Sequence, residues 1–320
     1  MINTYKPEGV ISSCAKNREY LNSGKAGLEK AMALGVILEG NVLLCDEEMN
    51  LHVDLHGIVG IIPREEVCYS ASGQTTKDIA IITRVGRPVC FKIISIESSR
   101  GQTVAYLSRR EAQIDCMRNY ISSLIPGDII SARVTHLATF GAFVDIGCGI
   151  IALLPVDCIS ISRFSHPKDR LYCGMIINTV LKSVDREKDR IFVTMRELLG
   201  TWEENAALFS PGQTVAGIIR SIESYGVFVE LTPNLAGLAE LREDSAETLH
   251  DAIGKTVAVY IKSIIPERMK IKLVLVDSYK SDALLPSFKY YIDCDANSHI
   301  DYWRYSPSFC PKVIETAFEM

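Results

Sequence analysis

The chain has 320 residues, of which 48% are hydrophobic and 23% charged, a composition that excludes wholesale disorder. Its length predicts two or three domains, and no apolar run reaches the about 18–20 residues that a membrane-spanning helix needs. The formal net charge of −5 excludes a protein that binds duplex DNA by charge alone.

The first third of the chain is predicted to combine an arm with a weak β-rich unit. Residues 1–27 form the arm, and Gly27–Leu38 is predicted to hold a short helix that leads into the unit at 28–108. The turn at Cys45–Leu51 carries three acidic residues and no aromatic pair. Because the N-terminus lacks the pattern of a signal peptide, we expect a cytoplasmic protein.

Residues 126–196 and 211–276 are two stronger copies of this unit. Both begin with Pro-Gly, and an offset of 85 residues superimposes Phe140-Gly-Ala-Phe143 on Tyr225-Gly-Val-Phe228 without a gap. The weak unit aligns with them through Gly57–Pro63. The chain is therefore predicted to be an array of three repeats.

The segments between the repeats, 109–125 and 197–210, are predicted to be linker helices. Apolar residues recur every three or four positions in both, and a proline follows each. The predicted apolar stripes are Ile114, Met117, Ile121 and Leu124 in the first linker and Leu198, Trp202, Ala206 and Phe209 in the second. We interpret Trp202 as an anchor against a barrel and not as a base-stacking platform.

Residues 277–320 form an aromatic C-terminal extension outside the repeats. Phe288–Asp293 and His299–Pro307 are predicted to be two strands of a hairpin. Three uses of this hairpin remain open: packing on the third repeat, contact with a partner or a second copy, and an additional stacking surface.

Each repeat alternates at period two over roughly 70–80 residues and is rich in valine, isoleucine and phenylalanine, a pattern that predicts about five short strands. So few strands can protect their edges only by closing into a barrel, and a barrel of this size is of the oligonucleotide-binding (OB) type. The predicted fold is mainly β, with three tandem five-stranded OB barrels joined by short helical linkers and a C-terminal hairpin-like extension.

The repeats resemble the S1 RNA-binding domain. In the second repeat the matching residues run from Gly127 through Phe140-Gly-Ala-Phe143 to Asp145, continue at Gly149 and end at Asp185 and Arg190. The whole arrangement resembles the short bacterial homologues of the ribosomal protein that gives the domain its name. This resemblance implies that single-stranded RNA binds one barrel face and that N-terminal repeats with degraded RNA sites dock to the small ribosomal subunit.

Four aromatic side chains are the candidate base-stacking platforms. Glycine at the turn leaves space for the rings on either side to project together, which nominates Phe140, Phe143, Tyr225 and Phe228. Strand alternation places Asp145 beside Phe143 and Glu230 beside Phe228 on the outer face. The alternative is that one ring of each pair belongs to the core.

Cations near the rings are the candidate phosphate ligands. By their positions in the motif these are His136 and Arg190 in the second repeat and Arg220 and Lys270 in the third. The resemblance gives Asp185 the role of accepting from a ribose hydroxyl or of orienting Arg190. For every member of the segment Asp185–Arg190 except Arg190, the alternative is an ordinary solvated turn.

The third repeat is expected to bind RNA more weakly than the second. It carries Glu240 where the family often has histidine, and it has seven Lys/Arg against eight Asp/Glu, compared with nine against seven in the second. The first repeat lacks the rings and carries Asp46, Glu47 and Glu48 at its turn, so it is expected to dock a protein or to serve structurally. A barrel that has merely lost its ligand is the alternative.

No cofactor, metal or small-molecule substrate is expected. The ten cysteines contain no Cys-x-x-Cys pair, and Cys294, His299 and Cys310 have irregular spacing for zinc. Gly73–Lys77 lacks the order of a phosphate-binding loop, and no segment of about 100 residues remains for a catalytic domain.

The predicted function is therefore that of a non-enzymatic protein that holds mRNA on repeats 2 and 3 for translation. The small ribosomal subunit is expected to be contacted through repeat 1 or the extension. An accessory factor of RNA processing or transcription that uses the same barrels is the alternative.

Overall fold

The structure is a computed structural model that describes residues 5–70, 75–99, 101–185, 190–240, 252–278 and 288–318. Within these ranges, three closed barrels follow one another along the chain. Each has five strands that are hydrogen-bonded in the order 1-2-3-5-4 when numbered within the barrel. The predicted mainly β fold with three tandem barrels is confirmed.

The strands of the three barrels share one arrangement. Barrel 1 consists of β1 (Leu38–Cys45), β2 (Leu51–Asp54), β3 (Val59–Ile62), β4 (Pro88–Ser99) and β5 (Gln102–Ser108). Barrel 2 consists of β6 (Ile129–Ala138), β7 (Gly141–Asp145), β8 (Ile151–Pro155), β9 (Ile176–Asp185) and β10 (Arg190–Thr194). Barrel 3 consists of β11 (Thr214–Glu223), β12 (Gly226–Thr232), β13 (Leu235–Ala239), β14 (Thr256–Ile265) and β15 (Lys270–Ser278). In each barrel the third and fifth strands pair in parallel, and this pairing closes the sheet.

Helices lie in the arm, in the linkers and between the third and fourth strands of barrel 1. The α-helices are α1 (Ala15–Asn22), α2 (Gly24–Ala33), α3 (Asp78–Ile82), α4 (Arg109–Asn119) and α5 (Trp202–Ala206). Short 3-10 segments lie at Ile11–Ser13, Arg64–Glu66, Ile121–Ser123, Val156–Cys158, Pro167–Asp169, Arg196–Leu199 and Pro266–Arg268. Across the described ranges, each helix is too short or too polar to cross a bilayer.

The first linker is only partly the helix predicted over 109–125. Helix α4 ends at Asn119, and its buried side chains are Arg109, Ala112, Gln113 and Cys116. Of the predicted stripe, Met117, Ile121 and Leu124 pack on the hydrophobic core, and Ile114 is half-buried. The buried face of α4 also carries polar groups, and the Gln113 amide donates to the backbone carbonyls of Cys148 and Gly149 in barrel 2, at 3.2 Å each.

The second linker is divided where a single helix was predicted over 197–210. Gly200 adopts φ +82° between the 3-10 turn and α5, a conformation that favours glycine. Thr201 then caps α5, because its hydroxyl accepts from the Glu204 N–H while the Glu204 carboxylate accepts from the Thr201 N–H. Trp202 is buried in the core of barrel 3, as its interpretation as an anchor requires.

The N-terminal arm joins barrels 1 and 2 through Glu8. Its carboxylate accepts from the Arg109 guanidinium at 2.7 and 3.0 Å and from the backbone N–H of Cys90 in barrel 1 at 3.1 Å. Its backbone N–H donates to Asp145 of barrel 2 at 2.7 Å. Burial opposes ionisation, but the charge and hydrogen bonds of Arg109 outweigh it and lower the pKa of Glu8.

The C-terminal extension differs from its predicted hairpin. Strand β16 (Tyr302–Arg304) pairs with β17 (Glu315–Ala317), whereas Phe288–Asp293 forms no strand. The aromatic residues of that segment are used for packing: Tyr290 contacts the barrel 2 core, and its hydroxyl accepts from the Asn178 N–H at 2.9 Å. Trp303 lies in the barrel 3 core, so the extension packs on two barrels.

Candidate nucleic-acid interface

Barrel 2 displays a pair of aromatic rings at the turn between β6 and β7. Phe140 is 56% exposed at this turn, and Phe143 is half-buried on β7. Their rings meet edge to face, with centroids 6.0 Å apart and planes at 90°. Ala142 and Val144, which flank Phe143, are fully buried in the barrel, so strand alternation directs Phe143 outward.

Barrel 3 repeats this geometry. Tyr225 is 63% exposed, and Phe228 is half-buried on β12. The centroids of the two rings are 6.2 Å apart, and their planes meet at 89°. The described structure therefore places all four predicted rings on the outer surface, two at the same corner of each barrel.

Close approach of two strands explains the glycine between the rings of each pair. A Cβ atom on Gly141 would lie 2.4 Å from the carbonyl oxygen of Leu154, and one on Gly226 would lie 2.7 Å from that of Ala239. Any larger residue would push the neighbouring strand away and separate the rings.

His136 lies next to the ring pair of barrel 2. The pairing of β6 with β7 shifts register between Val134 and His136, and His136 then lies opposite Phe143. Its ring is exposed, with its centroid 6.1 Å from that of Phe143. His136 thus adds a donor and a third flat surface beside the two phenylalanines.

Arg190 and Asp185 face each other across the β9–β10 pair. Arg190 is exposed and Asp185 is half-buried. The predicted segment between them, 186–189, lies outside the described residues. Their pairing makes Asp185 the cross-strand neighbour of Arg190.

One further ring of barrel 2 was missed by the sequence reasoning. Leu153 on β8 lies opposite both Phe143 on β7 and Phe192 on β10, so the three half-buried side chains form one row across the outer face. Phe192 follows Arg190 by two residues on the same strand. The period-two alternation from Arg190 was the signal that could have identified it.

The corresponding row of barrel 3 ends in a cation. Leu238 lies opposite Phe228 and Lys272, and Lys272 is exposed. Lys270, the predicted phosphate ligand, is also exposed at the start of β15. Barrel 3 therefore has a lysine where barrel 2 has a third phenylalanine.

Arg220 does not provide the free cation that the sequence predicted. Its side chain is 8% exposed, and its Nε donates to Glu230 at 2.7 Å. Arg170 of barrel 2 also donates to the Glu230 carboxylate with both terminal nitrogens. Burial lowers the pKa of Arg170, and the hydrogen bonds and charge of Glu230 oppose that shift. Arg220 and Arg170 thus join barrels 2 and 3 around one buried carboxylate.

The acidic residues of the two motifs, predicted on the outer face of their strands, are covered by neighbouring segments. Glu230 is 5% exposed because of the two arginines, and Asp145 is 2% exposed because the N-terminal arm covers it. The Asp145 carboxylate accepts from the N–H groups of Glu8, Gly147 and Gly149 at 2.7–3.0 Å. Burial, followed by the nearby Glu8 carboxylate, raises the pKa of Asp145 to about 8.

A pocket of about 660 Å³ surrounds the rings of barrel 3, and we call it the barrel 3 groove. Its described lining includes Tyr225, Phe228 and five basic residues, Arg163, Arg220, Arg268, Lys270 and Lys312, with Glu223 as its acidic member. Two of these cations come from outside the repeat. The local charge around the rings is therefore basic, in contrast to the expectation from counting residues within the third repeat.

The turn of barrel 1 has a different character. Asp46 accepts from the backbone N–H groups of Glu48 and Asn50 and lies 3.1 Å from His52 Nε2. Hydrogen bonds from the Asn50 backbone, together with those from His52, lower the pKa of Asp46. This negatively charged turn occupies the corner that carries rings in barrels 2 and 3.

Residues 123–196 match the family model of the S1 RNA binding domain. The match spans all five strands of barrel 2. The S1 match coincides with the barrel that carries Phe140, Phe143 and Arg190.

The chain is also similar to curated ribosomal proteins over much of its length. It is 30% identical to small ribosomal subunit protein bS1 of Rhodopseudomonas palustris over 278 residues, which cover 85% of this chain and 46% of that protein. It is 29% identical to the bS1 homolog of Bacillus subtilis over 191 residues, covering 57% and 50% respectively. The chain thus spans about half the length of the curated relatives it matches.

Among solved structures, this chain is similar to a multidomain protein with nucleic acid binding domains from Streptococcus pneumoniae. The match covers 76% of this chain and 73% of the chain of that protein. The sequence identity is 18% and the TM-score is 0.23.

Proposed function

We propose that this chain binds single-stranded RNA on barrels 2 and 3 and holds mRNA during translation. The observation that carries the proposal is the pair of outward-facing, edge-to-face rings at the same corner of two successive barrels, one ring of each pair being exposed and the other half-buried. Aromatic platforms stack on unpaired bases with about 1–3 kcal/mol per base, and they do not require a particular sequence. Four such platforms supply enough binding energy to offset the ordering of a short strand.

Phosphate contacts complete the proposed site. His136 and Arg190 serve barrel 2, with Asp185 positioning Arg190, and Lys270 serves barrel 3. These cations are few, which suits a protein with a net charge of −5 that relies on stacking and on two linked sites. Duplex RNA offers no free base faces and should compete poorly.

Barrel 1 and the extension take the docking role in this proposal. The acidic turn at Asp46 repels phosphate, and Glu8 links barrel 1 to barrel 2 through its hydrogen bonds with Cys90 and Asp145. The two curated relatives are named as proteins of the small ribosomal subunit, which supports that subunit as the partner and the cytoplasm as the location. We propose a binding protein that is not an enzyme.

Fluorescence anisotropy with a labelled oligouridylate of about 20 nucleotides tests the RNA-binding part. The wild type should bind, and an equal concentration of duplex RNA should displace little of the ligand. Tyr172→Ala removes a 44% exposed ring on the loop before β9. It is the matched control for substitutions of the ring pairs, such as Phe143→Ala and Phe228→Ala. Absence of binding by the folded wild type at low salt would refute the proposal.

Sucrose-gradient sedimentation with small ribosomal subunits tests the docking part. Co-sedimentation at moderate salt is expected for a translation protein. Binding of RNA without co-sedimentation would instead favour the accessory role in RNA processing or transcription.

A further inference from the structure

The barrel 3 groove is built from three separate parts of the chain. One wall is the face of barrel 3 with Tyr225, Phe228 and Lys270. The second is residues 161–165, which precede β9 in barrel 2 and which we call the 161–165 loop. The third is residues 305–314 of the C-terminal extension, which contribute Lys312 and Ile314.

The 161–165 loop and the extension are held in place by Asn234 at the turn between β12 and β13. The side-chain oxygen of Asn234 accepts from the Ile161 N–H at 3.0 Å, and its backbone carbonyl accepts from the Tyr305 hydroxyl. The Asn234 side-chain amide donates to the carbonyls of Arg196 and Gly200 at 2.8 and 2.9 Å. Because Asn234 is fully buried, these contacts fix all three walls relative to one another.

The 161–165 loop presents an aromatic ring and a cation to the groove. The Arg170 guanidinium lies over the Phe164 ring, 5.0 Å from its centroid, and the same Arg170 is held by Glu230. Arg163, which precedes Phe164 in the loop, is exposed. The loop therefore offers the combination of stacking surface and charge that the ring corners offer.

A second pocket continues the barrel 3 groove toward barrel 2. It measures about 450 Å³ and shares Ile161, Ser162, Arg163, Phe164 and Ile314 with the groove. Its other lining includes Val156, whose backbone N–H donates to the Phe140 carbonyl at 3.0 Å. The two pockets together thus extend from the rings of barrel 3 to Val156, whose backbone is hydrogen-bonded to the turn that carries Phe140.

We infer that the 161–165 loop and residues 305–314 complete a continuous track that carries one RNA strand from barrel 2 to barrel 3. Arg163 and Lys312 contact phosphates in the middle of this track, and Phe164 stacks on a base between the two ring pairs. The inference rests on the proposed function, and it assigns to the linking elements a binding role that the repeat motif does not contain. The described lining of the groove and the second pocket has four exposed cations against two exposed carboxylates, Glu223 and Asp157, which makes a polyanion the occupant that fits the charge.

The test uses the full chain and oligouridylates of about 5 and about 20 nucleotides, because one OB barrel covers about 4–16 nucleotides. Arg163→Ala/Lys312→Ala should weaken binding of the longer strand about tenfold. Its salt slope should fall by about 1.4, because each phosphate contact on a single strand contributes about 0.7. Arg118→Ala/Lys16→Ala removes two exposed charges on α4 and α1 and should change affinity less than twofold.

A photo-crosslinking experiment on the wild type gives a readout that does not depend on how a variant folds. A 4-thiouridine near the middle of the longer strand should crosslink to peptides that contain residues 161–165 or 305–314. The same label on a strand of about 5 nucleotides should crosslink mainly to the ring corners.

The outcomes distinguish a failure of the proposed track from a failure of the proposed function. If ring variants weaken binding while Arg163→Ala/Lys312→Ala keeps wild-type affinity and salt slope, the barrels bind RNA independently and the track is refuted. If the wild type binds no RNA, the proposed function and the track are both refuted.

Discussion

Barrels 2 and 3 share one motif but differ in where their binding groups originate. The outer row of barrel 2 is Phe143, Leu153 and Phe192, whereas that of barrel 3 is Phe228, Leu238 and Lys272. Barrel 3 also receives Arg163 and Lys312 from outside its repeat. Stacking should therefore dominate on barrel 2 and charge on barrel 3, so equivalent motif residues need not contribute equally.

The buried carboxylates of the two barrels differ in the same way. Asp145 accepts three backbone N–H groups and receives the N-terminal arm, while Glu230 is held by two arginines from two barrels. Both carboxylates stand at the same motif position. In each barrel this residue fastens a neighbouring segment, and the identity of that segment depends on the position of the barrel in the chain.

The largest expected effect comes from removing the carboxylate between barrels 2 and 3. Glu230→Ala leaves the buried guanidinium groups of Arg170 and Arg220 without their shared carboxylate, which should reduce the free energy of unfolding by about 3–5 kcal/mol. Urea denaturation measures this loss. Glu223→Ala, at an exposed position of the same barrel, should stay within about 0.5 kcal/mol of the wild type, and an equally small loss for Glu230→Ala would contradict the buried ion pairs.

Single ring substitutions should weaken RNA binding without unfolding either barrel. Phe143→Ala and Phe228→Ala should each lose about 1–3 kcal/mol of binding free energy for an oligouridylate, measured by anisotropy. The rings are half-buried at the surface, so circular dichroism should remain close to that of the wild type. If only one of the two variants loses affinity for the oligouridylate, only the barrel that carries that ring binds RNA.

Truncating the residue that ends the outer row of each barrel, Phe192 in barrel 2 and Lys272 in barrel 3, distinguishes binding by stacking from binding by charge. Phe192→Ala should lower affinity and leave the salt slope unchanged, whereas Lys272→Ala should reduce the slope by about 0.7. Arg190→Ala should lower the slope by a similar amount. Binding measured at several salt concentrations gives both quantities, and identical slopes for Phe192→Ala and Lys272→Ala would remove the distinction between the barrels.

The smallest expected effect is a pH dependence where the extension meets barrel 2. The hydrogen bond of His299 Nδ1 to Asp128 at 2.7 Å raises the pKa of His299. The folded state therefore favours the protonated ring, and its stabilisation is present below the ordinary pKa of about 6.5. It is lost as the pH rises through the higher folded value.

Hydrogen exchange at the Ile300 N–H, which donates to the Gly127 carbonyl, should accordingly be faster relative to global exchange at pH 8 than at pH 6. The difference should stay below about 1 kcal/mol, as for other partly exposed ion pairs. His299→Gln should abolish it. A pH dependence that survives in this variant would assign the effect to another group.

The sequence by itself determined the repeats, the closed barrels and the outward direction of the four rings. An 85-residue offset aligns the two turns, and period-two alternation decides which side chains enter the barrel and which leave it. These features depend on contacts within one repeat, where neighbouring strands are close along the chain. Phe192 could have been found by the same alternation.

Only the tertiary structure decided what covers each face. Alternation placed Asp145 and Glu230 on the outer side, but the arm that buries Asp145 approaches from 137 residues away and Arg170 lies 60 residues from Glu230. The engagement of Arg220, the division of the second linker at Gly200 and the pairing of β16 with β17 depend on packing between segments. Such contacts are set by the shape and charge of the assembled surfaces, which local sequence patterns do not encode.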